Sequence, residues 1–92
     1  NDILLNHEQL HFDIAELYAR KMRYEFSKLQ KSKVRRMDDY QEVYNRNWQA
    51  CKRDQRQYDA DTNHGTREAE NNLWKTRIDA KLTTYAPFAR GN

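Results

Sequence analysis

The apolar residues of this chain recur at steps of three and four, and this spacing constrains the fold more than any other feature. Such steps place apolar side chains on one face of a helix. Only two glycines and one proline occur in 92 residues, which leaves little material for a turn-rich β architecture. The sequence therefore predicts an all-α protein. The first stripe comprises Leu4, His7 or Leu10, His11, Ile14, Leu17 or Tyr18, Met22, Phe26 and Leu29.

Three helices are predicted, the first two packing as a long antiparallel hairpin. The first runs from Asp2 to about Lys31, with Asn1 or Asp2 as its cap, and an exposed basic connection follows. The second runs from about Met37 to Tyr58. The predicted apolar stripe of the second helix comprises Met37, Tyr40, Tyr44, Trp48, Cys51, Gln55 and Tyr58.

The stretch "DADTNHG", residues 59–65, is dense in turn formers and predicts a loop. Thr66 is the expected cap of the third helix, which runs to about Thr83. Its predicted stripe comprises Ala69, Leu73, Trp74, Ile78 and Leu82. Residues 84–92 are expected to form a tail, which Pro87 keeps out of the helix.

Length and charge exclude several classes of protein. Ninety-two residues suffice for one small domain with one core. Seventeen basic and 14 acidic residues give a net charge of +3, too balanced for a dedicated nucleic-acid binder. No apolar run is long enough to predict a membrane span. A single cysteine, Cys51, excludes an intrachain disulfide and is expected to be buried. The chain opens without Met, so we expect it to be part of a larger protein.

The most informative motif is His7-Glu8-Gln9-Leu10-His11, the pattern H-E-x-x-H on the first helix. Residues four apart differ by about 40° in direction, so the two imidazoles project side by side. Neutral imidazoles bind Zn²⁺, which lowers the pKa of water towards about 7. Glu8 follows the first histidine directly, where a carboxylate can act as the general base. The competing interpretation is a solvated helix face whose two histidines are incidental.

A catalytic zinc needs a third protein ligand, and the familiar positions for one are filled by unsuitable residues. The glycine and third histidine of a metzincin would fall on Ile14 and Leu17, and a thermolysin-like glutamate would fall on Lys31. Glu16 lies about 140° around the helix from His11, and Glu25 lies about 21 Å along it. The third ligand must therefore come from another part of the chain.

His64 is the remaining histidine, and the predicted hairpin returns it to the level of the first two. If the second helix descends antiparallel to the first, the loop of residues 59–65 arrives beside His7 and His11. Gly65 would allow close approach of the backbone. The sequence thus predicts His7, His11 and His64 as zinc ligands. Asp59 and Asp61 stay open as alternatives, either orienting an imidazole or replacing His64.

Two motifs together resemble a known family. "HEQLHFDIAELYAR" (residues 7–20) followed by "YDADTNHG" (residues 58–65) resembles a bacterial family of unknown function, usually grouped with predicted zinc-dependent proteases. The resemblance extends over essentially the whole chain. It implies a zincin-like half-site at His7, Glu8 and His11. The second signature of the family falls on Tyr58, Asp59, Thr62, His64 and Gly65.

The resemblance implies a periplasmic or secreted zinc metalloprotease whose substrate is a peptide or protein. Glu8 would be the general base, and Tyr58 could stabilise an oxyanion. Zincins generally place a β-sheet upstream of the H-E-x-x-H helix, and any such sheet would precede this chain. The alternative function is a basic helical binding module, with or without a structural metal. A weaker version of this alternative is nucleic-acid binding through phosphate contacts of residues 28–36. The affinity for nucleic acid would then fall steeply as the salt concentration rises.

Overall fold

The computed structural model describes residues 2–90. These residues form three α-helices: α1 (Asp2–Lys31), α2 (Met37–Thr62) and α3 (Glu68–Thr84). A short 3-10 helix, Ala86–Phe88, follows α3. No strand occurs within that range, which confirms the all-α prediction. Asn1, Gly91 and Asn92 lie outside the described residues, and so do the predicted Asn1 cap and the end of the predicted tail.

The first two helices form the predicted antiparallel hairpin. Successive residues along α1 contact earlier and earlier residues of α2. His7 is hydrogen-bonded to Asp59, Tyr18 donates its phenol proton to Asp54 at 2.5 Å, and Glu25 accepts from Arg46. This order of contacts returns the end of α2 to the beginning of α1. None of the helices over residues 2–90 combines the length and apolar character that crossing a bilayer requires.

The third helix packs against both arms of the hairpin and closes the core. Trp74 and Ile78 of α3 are buried, and Leu82 packs beside them. Arg20 ties the end of α3 to α1 by donating a hydrogen bond to the carbonyl of Leu82 at 2.7 Å. The core cluster comprises Leu10, Ile14, Leu17, Tyr18, Cys51, Tyr58, Trp74 and Ile78, so the expected burial of the cysteine is confirmed.

The predicted stripe of α2 is wrong in its first half. Met37, Tyr44 and Trp48 are exposed, whereas Val43 and Asn47 are buried against α1. On α2, the row with Met37, Tyr44 and Trp48 and the row with Val43 and Asn47 both recur at the helical period. Periodicity alone therefore could not show which row is buried. The row with Asn47 is buried because its amide is satisfied by donating to Glu25 and to the carbonyl of Val43. Ala69 and Leu73 are likewise exposed rather than part of the core of α3.

The boundary between α2 and the loop also differs from the prediction. The second helix continues four residues past Tyr58, to Thr62, and ends at Asn63 in the left-handed conformation (φ 48°). Residue 59 is therefore helical, although its neighbours are typical turn formers. Thr66 does not cap α3: its hydroxyl donates to the carbonyl of Asn63, and Arg67 occupies the N-cap position.

Candidate metal centre

Three side chains from α1 and α2 converge on one point at the start of the hairpin. His7 and His11 lie one turn apart on α1, and their Nε2 atoms are 3.1 Å apart. Each Nε2 lies 2.7 Å from the same carboxylate oxygen, Oδ1 of Asp59. Because α2 extends to Thr62, this aspartate is held on a helix rather than in the predicted loop. All three side chains are largely buried but not sealed.

His64 approaches this group from the turn after α2. Its Nδ1 lies 3.8 Å from Oδ1 of Asp59, and its side chain is 73% exposed. Donor atoms of His7, Asp59 and His64 all lie within 4.8 Å of one another. The structure thus brings His64 to the same carboxylate as His7, with His64 at the open rim.

The close approach of the turn to α1 depends on Gly65. Its φ is +85°, and a Cβ built on it would lie 2.8 Å from Cβ of His7. The sequence-based expectation that this glycine permits close backbone approach is therefore confirmed. Thr62 supports the turn by donating its hydroxyl to the carbonyl of Tyr58 and accepting from the amide of Gly65, at 2.7 and 2.9 Å.

Gln55 determines which nitrogen of His11 carries a proton. It donates its amide Nε2 to the backbone carbonyl of His11 at 3.0 Å, so its Oε1 faces Nδ1 of the same histidine as an acceptor. The ring therefore donates through Nδ1, and Nε2 of the neutral ring is left as an acceptor pointing at Asp59. Two acceptors 2.7 Å apart require a cation, either a proton or a metal ion, between them. Sequence reasoning missed this role of Gln55, although its position four residues before Asp59 was a usable signal.

The spacing of the donor atoms fits a zinc coordination sphere. Zn–N and Zn–O bonds of 2.0–2.2 Å in a tetrahedron separate the ligand atoms by about 3.3 Å. The donor separations within His7, His11 and Asp59 are 2.7–3.1 Å, and His64 lies 3.8 Å from the Asp59 oxygen, so the measured separations lie on either side of that value. Imidazole and carboxylate are ordinary zinc ligands, so the residues present fit the ion in chemistry and in spacing.

The electrostatics of Asp59 favour its ionised form. Burial raises the pKa of this carboxyl group, but hydrogen bonds and charge from His7 and His11 outweigh burial and hold the pKa below its ordinary value. An ionised carboxylate is an acceptor only and can bind a metal ion directly.

Two of the residues predicted from the sequence, Tyr58 and Asp61, make hydrogen bonds elsewhere. Tyr58 is fully buried, and its hydroxyl donates to Asn71 of α3, so the phenol is not available to stabilise an oxyanion. Its ring instead supports the imidazoles, with centroids 5.6 Å from His7 and 5.0 Å from His11. Asp61 faces away from the centre: it accepts hydrogen bonds from Gln57 and from the indole of Trp74. It is therefore neither a ligand nor an orienting group.

Glu8 lies on the solvent side of the centre, where a general base would need to be. Its side chain is exposed, and with His11, Phe12 and Ala15 it lines an open depression of about 400 Å³. Phe12 is 75% exposed, so this depression offers an apolar surface directly beside His11.

Gly65→Ala is expected to lower the free energy of unfolding by roughly 1–3 kcal/mol, because it combines a strained φ with a collision against His7. Denaturant unfolding of the metal-free protein measures this loss. Thr66→Ala, an exposed change one residue further on, is the control and should cost less than about 1 kcal/mol. Equal losses in the two variants would show that the glycine is not needed for close approach.

The family model described as "Bacterial protein of unknown function (DUF922)" matches residues 2–65. The matched region contains α1, α2 and the turn through Gly65, and therefore every residue of the candidate centre. The resemblance was expected over essentially the whole chain, but α3 lies outside the match. No curated protein and no solved structure matches this sequence.

Proposed function

This chain belongs to the DUF922 family of bacterial proteins of unknown function, and we propose that it contains the metal centre of a zinc-dependent hydrolase that cleaves peptide bonds. The observation that carries the proposal is the convergence of His7, His11 and Asp59 on one point. A chance H-E-x-x-H on a solvated helix would not require a carboxylate from a second helix within 2.7 Å of both imidazoles.

The distances support a ligand set of His7, His11 and Asp59, with His64 at the rim. Three protein ligands leave one coordination position free, as catalytic zinc sites do. His64 is the most exposed of the four donors, and it is also the farthest from the shared carboxylate oxygen. The ligand set predicted from the sequence, in which His64 is the third ligand, stays a prediction. The zinc measurement described below distinguishes the two sets.

Each side chain has a distinct task in the proposed reaction. When bound, Zn²⁺ supplies Lewis acidity, which polarises a carbonyl group and lowers the pKa of water. Gln55 holds the ring of His11 so that Nε2 keeps its lone pair for the ion. Glu8 removes a proton from the attacking water and later returns one to the leaving amine. Phe12 and Ala15 provide an apolar surface for a substrate side chain beside Glu8.

Zinc content tests the ligand set directly. Protein purified without chelator should contain about one equivalent of zinc by elemental analysis. Asp59→Asn should lose most of it, whereas Asp61→Asn, the matched control two residues away, should retain it, since Asp61 bonds elsewhere. A parent protein with less than about 0.1 equivalent, and no uptake on titration, would contradict the metal centre. Loss of zinc in His64→Ala but not in Asp59→Asn would restore the sequence-based set.

A structural zinc site is the second candidate, and one observation favours it. His64 lies 3.8 Å from the shared carboxylate oxygen, and if it joined the other three donors, four protein ligands would close the tetrahedron without room for water. The chain would then be a binding module stabilised by metal. In that case removal of any one of the four donor side chains would lose zinc, and Glu8→Gln would have no activity to affect.

A further inference from the structure

A second cavity, of about 400 Å³, lies between α1, α2 and Tyr85 at the end of α3. Lys21, in its wall, is ten residues beyond His11, about 15 Å along the helix. The cavity therefore shares no residue with the metal centre. Its volume is in the range of small-molecule sites.

The lining of this cavity carries an excess of positive charge. Lys21 and Lys28 come from α1, Arg46 and Arg53 come from α2, and Glu25 is the single carboxylate among the lining residues. Arg46 is paired with Glu25 through two hydrogen bonds of 2.8 and 3.2 Å. Three cations thus remain for a ligand.

The two lysines are held over aromatic rings instead of being paired with acids. Nζ of Lys21 lies 4.9 Å from the ring centroid of Tyr18 and 5.9 Å from that of Tyr85. Nζ of Lys28 lies 5.0 Å from the ring of Tyr24. Among residues 2–90, neither lysine has a carboxylate within ion-pair distance, and the same holds for Arg53.

The nearest acids offset only part of this charge. Asp54 is committed to the hydroxyl of Tyr18, and Glu25 accepts from Arg46 and from Asn47. Burial, and after it the charge of Lys81, lowers the pKa of Lys21, although Asp54 and Glu25 attract its ammonium group.

We propose that this cavity is a binding site for a small organic polyanion, recognised through a phosphate group by Lys21, Lys28 and Arg53. Ammonium and guanidinium groups form strong charge-assisted hydrogen bonds with phosphate oxygens. The rings of Tyr24 and Tyr85 in the same wall provide an apolar surface for the organic part of the ligand. The site is independent of the proposed hydrolase activity.

Pyrophosphate is the probe, titrated into metal-free protein in the presence of chelator so that the histidine centre cannot contribute. Binding is followed by ¹H–¹⁵N NMR and should perturb amides around residues 18–28 and 46–53. The double variant Lys21→Met/Arg53→Gln should weaken binding about 10-fold or more. The control Lys31→Met/Arg56→Gln removes the same charge from the same two helices outside the cavity, and should weaken binding less than about 2-fold.

Equal weakening in the two double variants would overturn the proposal, because it would show diffuse attraction by net charge. Absence of saturable binding by the parent up to about 10 mM pyrophosphate would also overturn it. If Lys21→Met/Arg53→Gln fails to fold, Arg53→Gln alone decides, since that side chain is exposed. A single-stranded oligonucleotide is the comparison ligand. If it binds more tightly than pyrophosphate, and Arg53→Gln does not weaken its binding, the basic surface would be assigned to nucleic acid instead.

Discussion

Saturating zinc is expected to raise the melting temperature by roughly 10–20 °C. An ion present at about 100 times its dissociation constant stabilises the folded state by about 2.7 kcal/mol, and each kcal/mol shifts the melting temperature of a domain of this size by about 4–8 °C. The shift arises because folding brings His7 and Asp59, 52 positions apart, into contact. The unfolded chain has no comparable site.

Thermal melts followed by circular dichroism measure this shift, with chelator added afterwards to reverse it. His7→Ala and Asp59→Asn should abolish most of it, while Asp61→Asn should retain it. Mg²⁺ at the same concentration should have little effect, because it prefers oxygen ligands in octahedral geometry. A zinc shift below about 2 °C in the parent, or an undiminished shift in His7→Ala, would contradict the proposed centre.

Glu8→Gln is expected to reduce hydrolysis by about 10²-fold or more while zinc content is preserved. The substitution keeps the size of the side chain but removes its ability to accept a proton, and general base catalysis contributes about 10²–10⁴-fold. Zinc is retained because the converging donors do not include Glu8.

Cleavage of fluorescein-labelled casein provides the measurement. Glu42→Gln, an equivalent change on the exposed face of α2, is the control and should leave the rate unchanged. His7→Ala should lose zinc and activity together. An active parent whose Glu8→Gln variant keeps its full rate would show that this carboxylate is not the base. Loss of zinc in that variant would instead make Glu8 a ligand.

Much of the fold was predictable because its elements are long and strongly periodic. The bounds of α1 and the beginning of α2 agree with the prediction, and so does the antiparallel hairpin. The exposed row of Met37, Tyr44 and Trp48 was not predictable. The row with Asn47 is buried instead, and its burial depends on Glu25 of α1. The residue pattern of a single helix contains no information about such a partner on another helix.

The sequence by itself indicated the candidate donors: His7, His11 and His64, with Asp59 and Asp61 left open as alternatives. Local spacing suffices for His7 and His11, because the helix alone sets their relative direction. The sequence also indicated that Gly65 allows a close approach, since a glycine between polar turn residues is typical of such sites.

Only the tertiary structure decided which donors meet. Extension of α2 by one turn placed Asp59 on a helix facing both imidazoles, and the same turn directed Asp61 towards Trp74. Packing against α3 buried Tyr58 and joined its hydroxyl to Asn71. These outcomes depend on contacts between residues far apart in the chain, where helix ends and side-chain directions are selected by packing and hydrogen bonding rather than by local propensity.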